Sequence, residues 1–186
     1  MNILVIADRP PRAGLKELVE KEGIELICTL GDLEYSQLTE LNSIDLPKVG
    51  IYGNHCSGMY FEELGITNMH LKTFEIGGLM FGGFEGSHKY KDDPYAKMYT
   101  QEEADELLKD FPYVDVMLCH SPPFGINDEA DSRSHVGFRA LRKYVEEMKP
   151  KYLLHGHTYP KEGQVVTQFQ DTRIIYVQGD EVVELT

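Results

Sequence analysis

Five short strand-like runs in this chain each end on a polar group, and this recurrence constrains the fold more than any other feature. Ile3–Ala7 leads to Asp8, and Ile24–Leu30 leads to Gly31-Asp32. Lys48–Tyr52 leads to Gly53-Asn54-His55, Val114–Cys119 to His120, and Tyr152–Leu154 to His155-Gly156-His157. Continuous apolar runs mark strands covered on both faces, as in α/β proteins, whereas half-exposed strands alternate. Between them, Leu15, Leu18 and Val19 share a helical face, while Leu38 with Leu41 and Phe61 with Leu64 suggest two shorter helices. A helix is expected over 100–109 with Thr100 as its N-cap, and a stronger one over 137–148 stopped by Pro150. His70–Ile76 and Leu79–Phe84 read as a hairpin turned by Gly77-Gly78. The tail alternates over 164–169, 173–178 and 181–185, which predicts an antiparallel edge closing the domain. No repeat, low-complexity stretch or Pro/Ser-rich linker interrupts the pattern, so one domain over 1–186 is expected.

Asp8, Asp32, Asn54, His120 and His157 all fall just past the carboxyl ends of these runs. In open α/β sheets the loops leaving that edge converge on ligands. Two carboxylates, an amide and two imidazoles make a mixed oxygen and nitrogen set suited to manganese, iron(II), zinc, cobalt or nickel. Each residue has an ordinary explanation by itself, since Asp caps helices and Asn follows Gly in turns. Those explanations do not account for five such residues in order at five strand exits.

With 41% hydrophobic and 26% charged residues, the 186-residue chain has globular composition. Its formal net charge of −13 disfavours nucleic acid and anionic membrane as partners, although a bound cation would reverse the field locally. Three widely spaced cysteines (Cys28, Cys56, Cys119) and no leader or long apolar run point to reduced thiols in a cytoplasmic protein.

The motifs Asp8-Arg9-Pro10, Gly31-Asp32, Gly53-Asn54-His55-Cys56, His120 and Gly156-His157-Thr158-Tyr159 resemble the run that marks the calcineurin-like metallophosphoesterases. His120-Ser121-Pro122-Pro123 and Ser134-His135-Val136-Gly137 resemble that family's small bacterial and archaeal branch. The resemblance covers about residues 2 to 160 and implies a four-layer αββα sandwich, two mixed β-sheets flanked by helices. It implies hydrolysis of a phosphomonoester or phosphodiester, cyclic esters and nucleotides included, by attack of a metal-bound hydroxide. Asp32 would bridge two ions, and Asn54, His120 and His157 would complete the second site. His55 would serve catalysis as proton donor or charge stabiliser, and His135 would contact substrate.

The first site departs from the family pattern, because Pro10 and Tyr159 stand where it has histidines. Proline has no ligand atom, and a phenol ionises only near pH 10. Asp8 and Asp32 remain, enough for a second, weaker ion beside one firmly held. Arg9 or Arg12 could instead clamp phosphate there. A catalytically impaired homologue that binds nucleotide or phosphate is the alternative. Cys56 replaces the acid that would orient His55. Among the other histidines, His70 and His88 read as surface groups and His155 as a core residue. The polar, aromatic stretch from Lys89 to Tyr99 reads as a rim loop, and a homodimer through exposed helices or edge strands is a further expectation.

Overall fold

The computed structural model describes residues 1–161 and 163–186. Its strands are β1 (Asn2–Ala7), β2 (Leu26–Thr29), β3 (Lys48–Gly50), β4 (Thr67–Asn68), β5 (Thr73–Ile76), β6 (Leu79–Phe84), β7 (Ser87–His88) and β8 (Met98–Tyr99). They continue as β9 (Val116–Cys119), β10 (Tyr152–His155), β11 (Gln168–Phe169), β12 (Thr172–Tyr176) and β13 (Gly179–Glu184). The helices are α1 (Leu15–Glu22), α2 (Tyr35–Leu38), α3 (Gln101–Leu108) and α4 (Arg139–Met148), with a 3-10 turn over Thr39–Ser43.

One sheet has the order β13-β1-β2-β3-β4 and the other β11-β12-β10-β9-β6-β5, with β7 and β8 forming a small pair of their own. Both large sheets are mixed. In the first, β1, β2 and β3 run parallel while β13 is antiparallel to β1. In the second, β6, β9, β10 and β12 run parallel while β5 and β11 are antiparallel.

The central strands β1, β2, β9 and β10 are buried on both faces, and the odd and even residues of β1 divide between two cores. Ile3, Val5 and Ala7 meet Leu118, Leu154 and Phe81 of the other sheet, whereas Leu4 and Ile6 pack outward with Leu15 and Val19 of α1. On the far side, Met117, Leu153 and Ile174 pack with Ala104 and Leu108 of α3 and Leu141 and Val145 of α4. The outcome is the expected four-layer sandwich. Two sheets share one apolar interface, and each is covered by helices on its outer face.

Several local expectations hold for identifiable reasons. Thr100 caps α3 through its side chain, which accepts from Glu103 N–H at 3.1 Å while Glu103 accepts from Thr100 N–H at 2.8 Å. Helix α4 ends on Lys149 in the left-handed region at φ 53°, one residue before Pro150. The hairpin β5–β6 pairs Ile76 with Leu79 around Gly77-Gly78.

Two expectations are corrected. Phe61 and Leu64 lie in turns and not in a helix; Tyr52 stacks on Phe61 at 3.8 Å and its hydroxyl accepts the Phe61 N–H, so tertiary contacts override the helical spacing. The tail does not form one antiparallel edge. β12 joins the second sheet parallel to β10, and the chain then crosses so that β13 borders β1 in the first.

The fully buried Leu154 sits between the sheets, and Val182 lies on the outer edge strand. Leu154→Ala should cost about 2–5 kcal/mol in chemical denaturation, and Val182→Ala less than about 1 kcal/mol.

Candidate metal centre

The parallel strands of both sheets deliver their carboxyl ends to one place. Asp8 follows β1, Asp32 and Asn54 lie on the loops after β2 and β3, His120 follows β9, and His157 lies just past β10. Backbone hydrogen bonds tie these loops together: Asp8 N–H donates to Gly31 O at 3.1 Å and Gly156 N–H to His120 O at 3.0 Å. Asp8, Asp32 and His157 are all non-glycine residues in the left-handed region, at φ 61°, 53° and 68°. Each such conformation costs about 1–3 kcal/mol and persists where surrounding contacts enforce it, most often at functional sites. Gly53 is required beside them, because a Cβ there would overlap the Asp32 carboxylate.

Asp32, His120 and His157 offer ligand atoms that all lie within 4.8 Å of one another. Fully buried His120 donates Nδ1–H to the Leu30 carbonyl at 2.8 Å, which leaves its Nε2 as a lone-pair donor. That nitrogen faces Asn54 Oδ1 at 3.1 Å and Asp32 Oδ1 at 3.4 Å. An asparagine turned the other way would donate to it. The orientation present instead leaves buried Nδ2 without a partner and brings three acceptors together. Such an arrangement is unfavourable unless a cation or a proton lies among them. His157 donates Nε2–H to Ser134 O at 2.8 Å, so Nδ1 is its free donor atom. The residues therefore fit a divalent ion held by Asp32, Asn54, His120 Nε2 and His157 Nδ1.

Titration behaviour agrees with that geometry. Burial would lower His120, yet the Asp32 carboxylate, aided by Asp8, raises it to about 9. Burial would raise Asp32, but His120 and the His55 N–H hold it well below the usual carboxylate range. Burial and the charge on His120 push His157 down to about 3, and burial pushes Asp8 up to about 6. Without an ion, the His120 proton fills the place a cation would take.

Asp8 stands beside the group and outside the mutually close set. Its Oδ2 accepts the His157 N–H at 2.8 Å and thereby fixes the loop that presents His157. Exposed His55 donates its backbone N–H to Asp32 Oδ1 at 2.7 Å, and its Nε2 meets the Tyr90 hydroxyl at 3.2 Å. His135 packs edge-on to His157 with ring centroids 5.3 Å apart, while its Nδ1 is 3.0 Å from Glu129 Oε1. Arg9 is exposed at the exit of β1, as is Pro10, and exposed Tyr159 lies edge-on to His135. Arg12 is not at the centre, because its guanidinium and backbone N–H are engaged by Asp180.

Three expectations about other side chains change or sharpen. His70 is not a surface group: its Nδ1 accepts the Glu85 N–H, and it stacks on Tyr99, which donates to buried Glu85. His88 is half-buried, 3.5 Å from Arg133 O. Cys56 accepts the Gly53 N–H at 3.1 Å and so shapes the loop that carries Asn54 and His55. Tyr90 and Glu129 were not legible in the sequence. Tyr90 reaches His55 from 35 residues away, and Glu129 reaches His135 within one loop that has no regular spacing to announce it.

The calcineurin-like phosphoesterase family model matches residues 1–161. The chain belongs to the calcineurin-like phosphoesterase family. The lariat debranching enzyme of Schizosaccharomyces pombe is 25% identical over 176 residues, covering 74% of this chain and 38% of that protein. A UPF0046 protein of Caenorhabditis elegans is 31% identical over 100 residues, covering 53% of this chain and 33% of that one. The chain thus spans little more than a third of the length of these curated relatives. Among solved structures, TT1561 of Thermus thermophilus aligns with a TM-score of 0.64 at 17% identity, over 96% of this chain and 89% of that one. The calcineurin-like phosphoesterase YfkN of Bacillus subtilis aligns with a TM-score of 0.50 at 13% identity, over 100% and 86%. At those identities the likeness is one of fold. Calcineurin-like phosphoesterases use divalent metals, and the group found here is a candidate site for one. Among the described residues, no helix is long and apolar enough to cross a membrane.

His155, fully buried at the end of β10 two residues before His157, makes the stability of this region depend on pH. Its Nε2 accepts from Asn127 Nδ2 at 3.0 Å, its Nδ1 donates to Gly156 O at 3.1 Å, and burial pushes it down to about 4. The unfolded imidazole takes a proton near pH 6.5 while the folded one refuses it until about 4, so this contribution is full above 6.5 and lost as pH falls. In chelator, wild-type unfolding free energy should fall between pH 6.5 and 4 by up to about 3 kcal/mol more than that of His155→Gln.

Proposed function

We propose that the chain is a metal-dependent phosphoesterase that hydrolyses a phosphomonoester or phosphodiester. The observation carrying this reading is the convergence of Asp32, Asn54 Oδ1, His120 Nε2 and His157 Nδ1 on one spot, where only a cation or the His120 proton satisfies the facing acceptors. An ion bound there would supply Lewis acidity and a water acidified toward neutrality. Manganese, iron, zinc, cobalt and nickel all suit the donor set.

The protein's own groups have separable tasks. Asp32, held ionised, fixes the His55 backbone while offering an oxygen to the ion. His55, exposed beyond the ligands and steadied by Tyr90, is placed to give a proton to a leaving oxygen or to stabilise phosphoryl charge. His135, oriented by Glu129, and Arg9 are the substrate-side contacts. In this reading residues 1–186 form one phosphoesterase domain that acts, in the cytoplasm, on a small phosphorylated substrate or nucleotide.

One firmly held ion is the resting state in this reading. The family's first position has Pro10 and Tyr159, and an oxygen of Asp8 is already engaged by the His157 N–H. A second, weaker ion would enter only with substrate oxygens as added ligands. The same departure favours a second reading, a homologue that binds nucleotide or phosphate with little turnover.

Elemental analysis of the Mn²⁺-loaded protein should give one ion per chain, and His157→Ala should lose most of it. Hydrolysis of bis(p-nitrophenyl) phosphate should vanish in chelator and fall at least about hundredfold in His120→Ala. Unchanged metal content in His157→Ala would sink the site. Metal-dependent thermal stabilisation without hydrolysis would favour the binding reading. Pro10→His combined with Tyr159→His should raise the stoichiometry toward two.

A further inference from the structure

The two most exposed large apolar side chains among the described residues, Tyr95 at 93% and Met59 at 68%, line the same cavity. That cavity has a volume of about 310 Å³, and its wall includes Gly53, Asn54 and Cys56, so it opens directly beside the metal centre. Lys97 adds one cation to the lining, its Nζ 3.9 Å from buried Glu85. A larger cavity of about 460 Å³ between α3 and α4 also has a tyrosine, a methionine and lysines in its wall (Tyr144, Met148, Lys109, Lys143), but four carboxylates edge it and none of its lining residues belongs to the metal centre.

Single exposed apolar side chains are ordinary. Here the two extreme cases come from separate loops, one following Asn54 and one in the rim segment after β7, and they meet at one opening. Tyrosine offers a flat face on which any planar heterocycle stacks, and methionine a polarisable edge that adapts to it. The lysine supplies a hydrogen-bond donor for ring nitrogens or carbonyls. The volume is at the lower end for small-molecule sites, about 300–1,000 Å³, which suits a single base better than an extended chain.

We infer that this cavity receives the base of a nucleotide-type phosphoester whose phosphate lies at the Asp32, Asn54, His120 and His157 centre. The inference rests on the phosphoesterase reading above and adds the substrate class. Met59 and Tyr95 select for a planar ring, and the remaining machinery acts on phosphate regardless of what it carries.

The test uses Mn²⁺-loaded protein with AMP and ribose 5-phosphate as competitive inhibitors of bis(p-nitrophenyl) phosphate hydrolysis. These two compounds share a phosphate and a sugar and differ in the base. AMP should inhibit about tenfold more tightly, the order a stacked base contributes. In the double variant Met59→Ala/Tyr95→Ala, both sites being exposed, that advantage should shrink to about twofold or less while the ribose 5-phosphate constant holds. Equal inhibition by the two compounds in the wild type, or an AMP preference that survives the double variant, would overturn the inference. If the model diester is not hydrolysed at all, the phosphoesterase reading fails separately. Calorimetric titration of the same two compounds then decides the cavity by the same ratio, and absence of binding by both also overturns it.

Discussion

The arrangement depends on one hydrogen bond, from His120 Nδ1 to the Leu30 carbonyl. His120 leaves the second sheet and Leu30 the first, so this contact joins the two halves of the sandwich where their loops converge. It also sets the tautomer. With Nδ1–H committed to a backbone oxygen, Nε2 is the atom turned toward Asp32 and Asn54, as a lone pair for an ion or, without one, as the N–H of the charged ring. A fully buried imidazole is costly to desolvate, and here that cost is offset by a backbone acceptor on one side and a carboxylate on the other. The Asp8 carboxylate makes the reciprocal link, reaching from the first sheet to the His157 N–H of the second.

Backbone conformation does as much as side-chain identity. Asp8, Asp32 and His157 occupy a region that glycine usually fills, yet each must carry a side chain. The neighbouring glycines allow this. Gly31, Gly53 and Gly156 sit so close to facing backbone or carboxylate that a Cβ at any of them would displace the site. Rigidity at the centre therefore comes from loops pressed together without side chains between them, which suits a group that must hold an ion's geometry.

Much of this was legible because strand exits are encoded locally. An apolar run followed by Gly-Asp, Gly-Asn-His or Gly-His carries both the strand and its functional terminus within a few residues, and the Thr100 cap and the Gly77-Gly78 turn are equally local. What escaped was non-local. The tail segments alternate as edge strands should, but nothing in Arg173–Gln178 or Glu181–Leu185 says that they serve different sheets. Phe61 and Leu64 have helical spacing, which Tyr52 overrides by stacking. Arg12 looks available to phosphate until Asp180 of the distant tail is brought against it. Tyr90 steadies His55 from a distant loop, Glu129 steadies His135 within an irregular one, and His70 is drawn from the surface by Glu85 and Tyr99.

The crossing of the tail between sheets has a kinetic corollary. β1 cannot be flanked on one side until β13 arrives, since Asn2 faces Glu184 and Ala7 faces Gly179. During synthesis β1 therefore waits, one edge open, until β13 is made, and their pairing closes a loop that contains every other strand of both sheets. Such a topology folds slowly and late. The strand that leads into Asp8 precedes every other strand of the two sheets, yet is among the last to be secured.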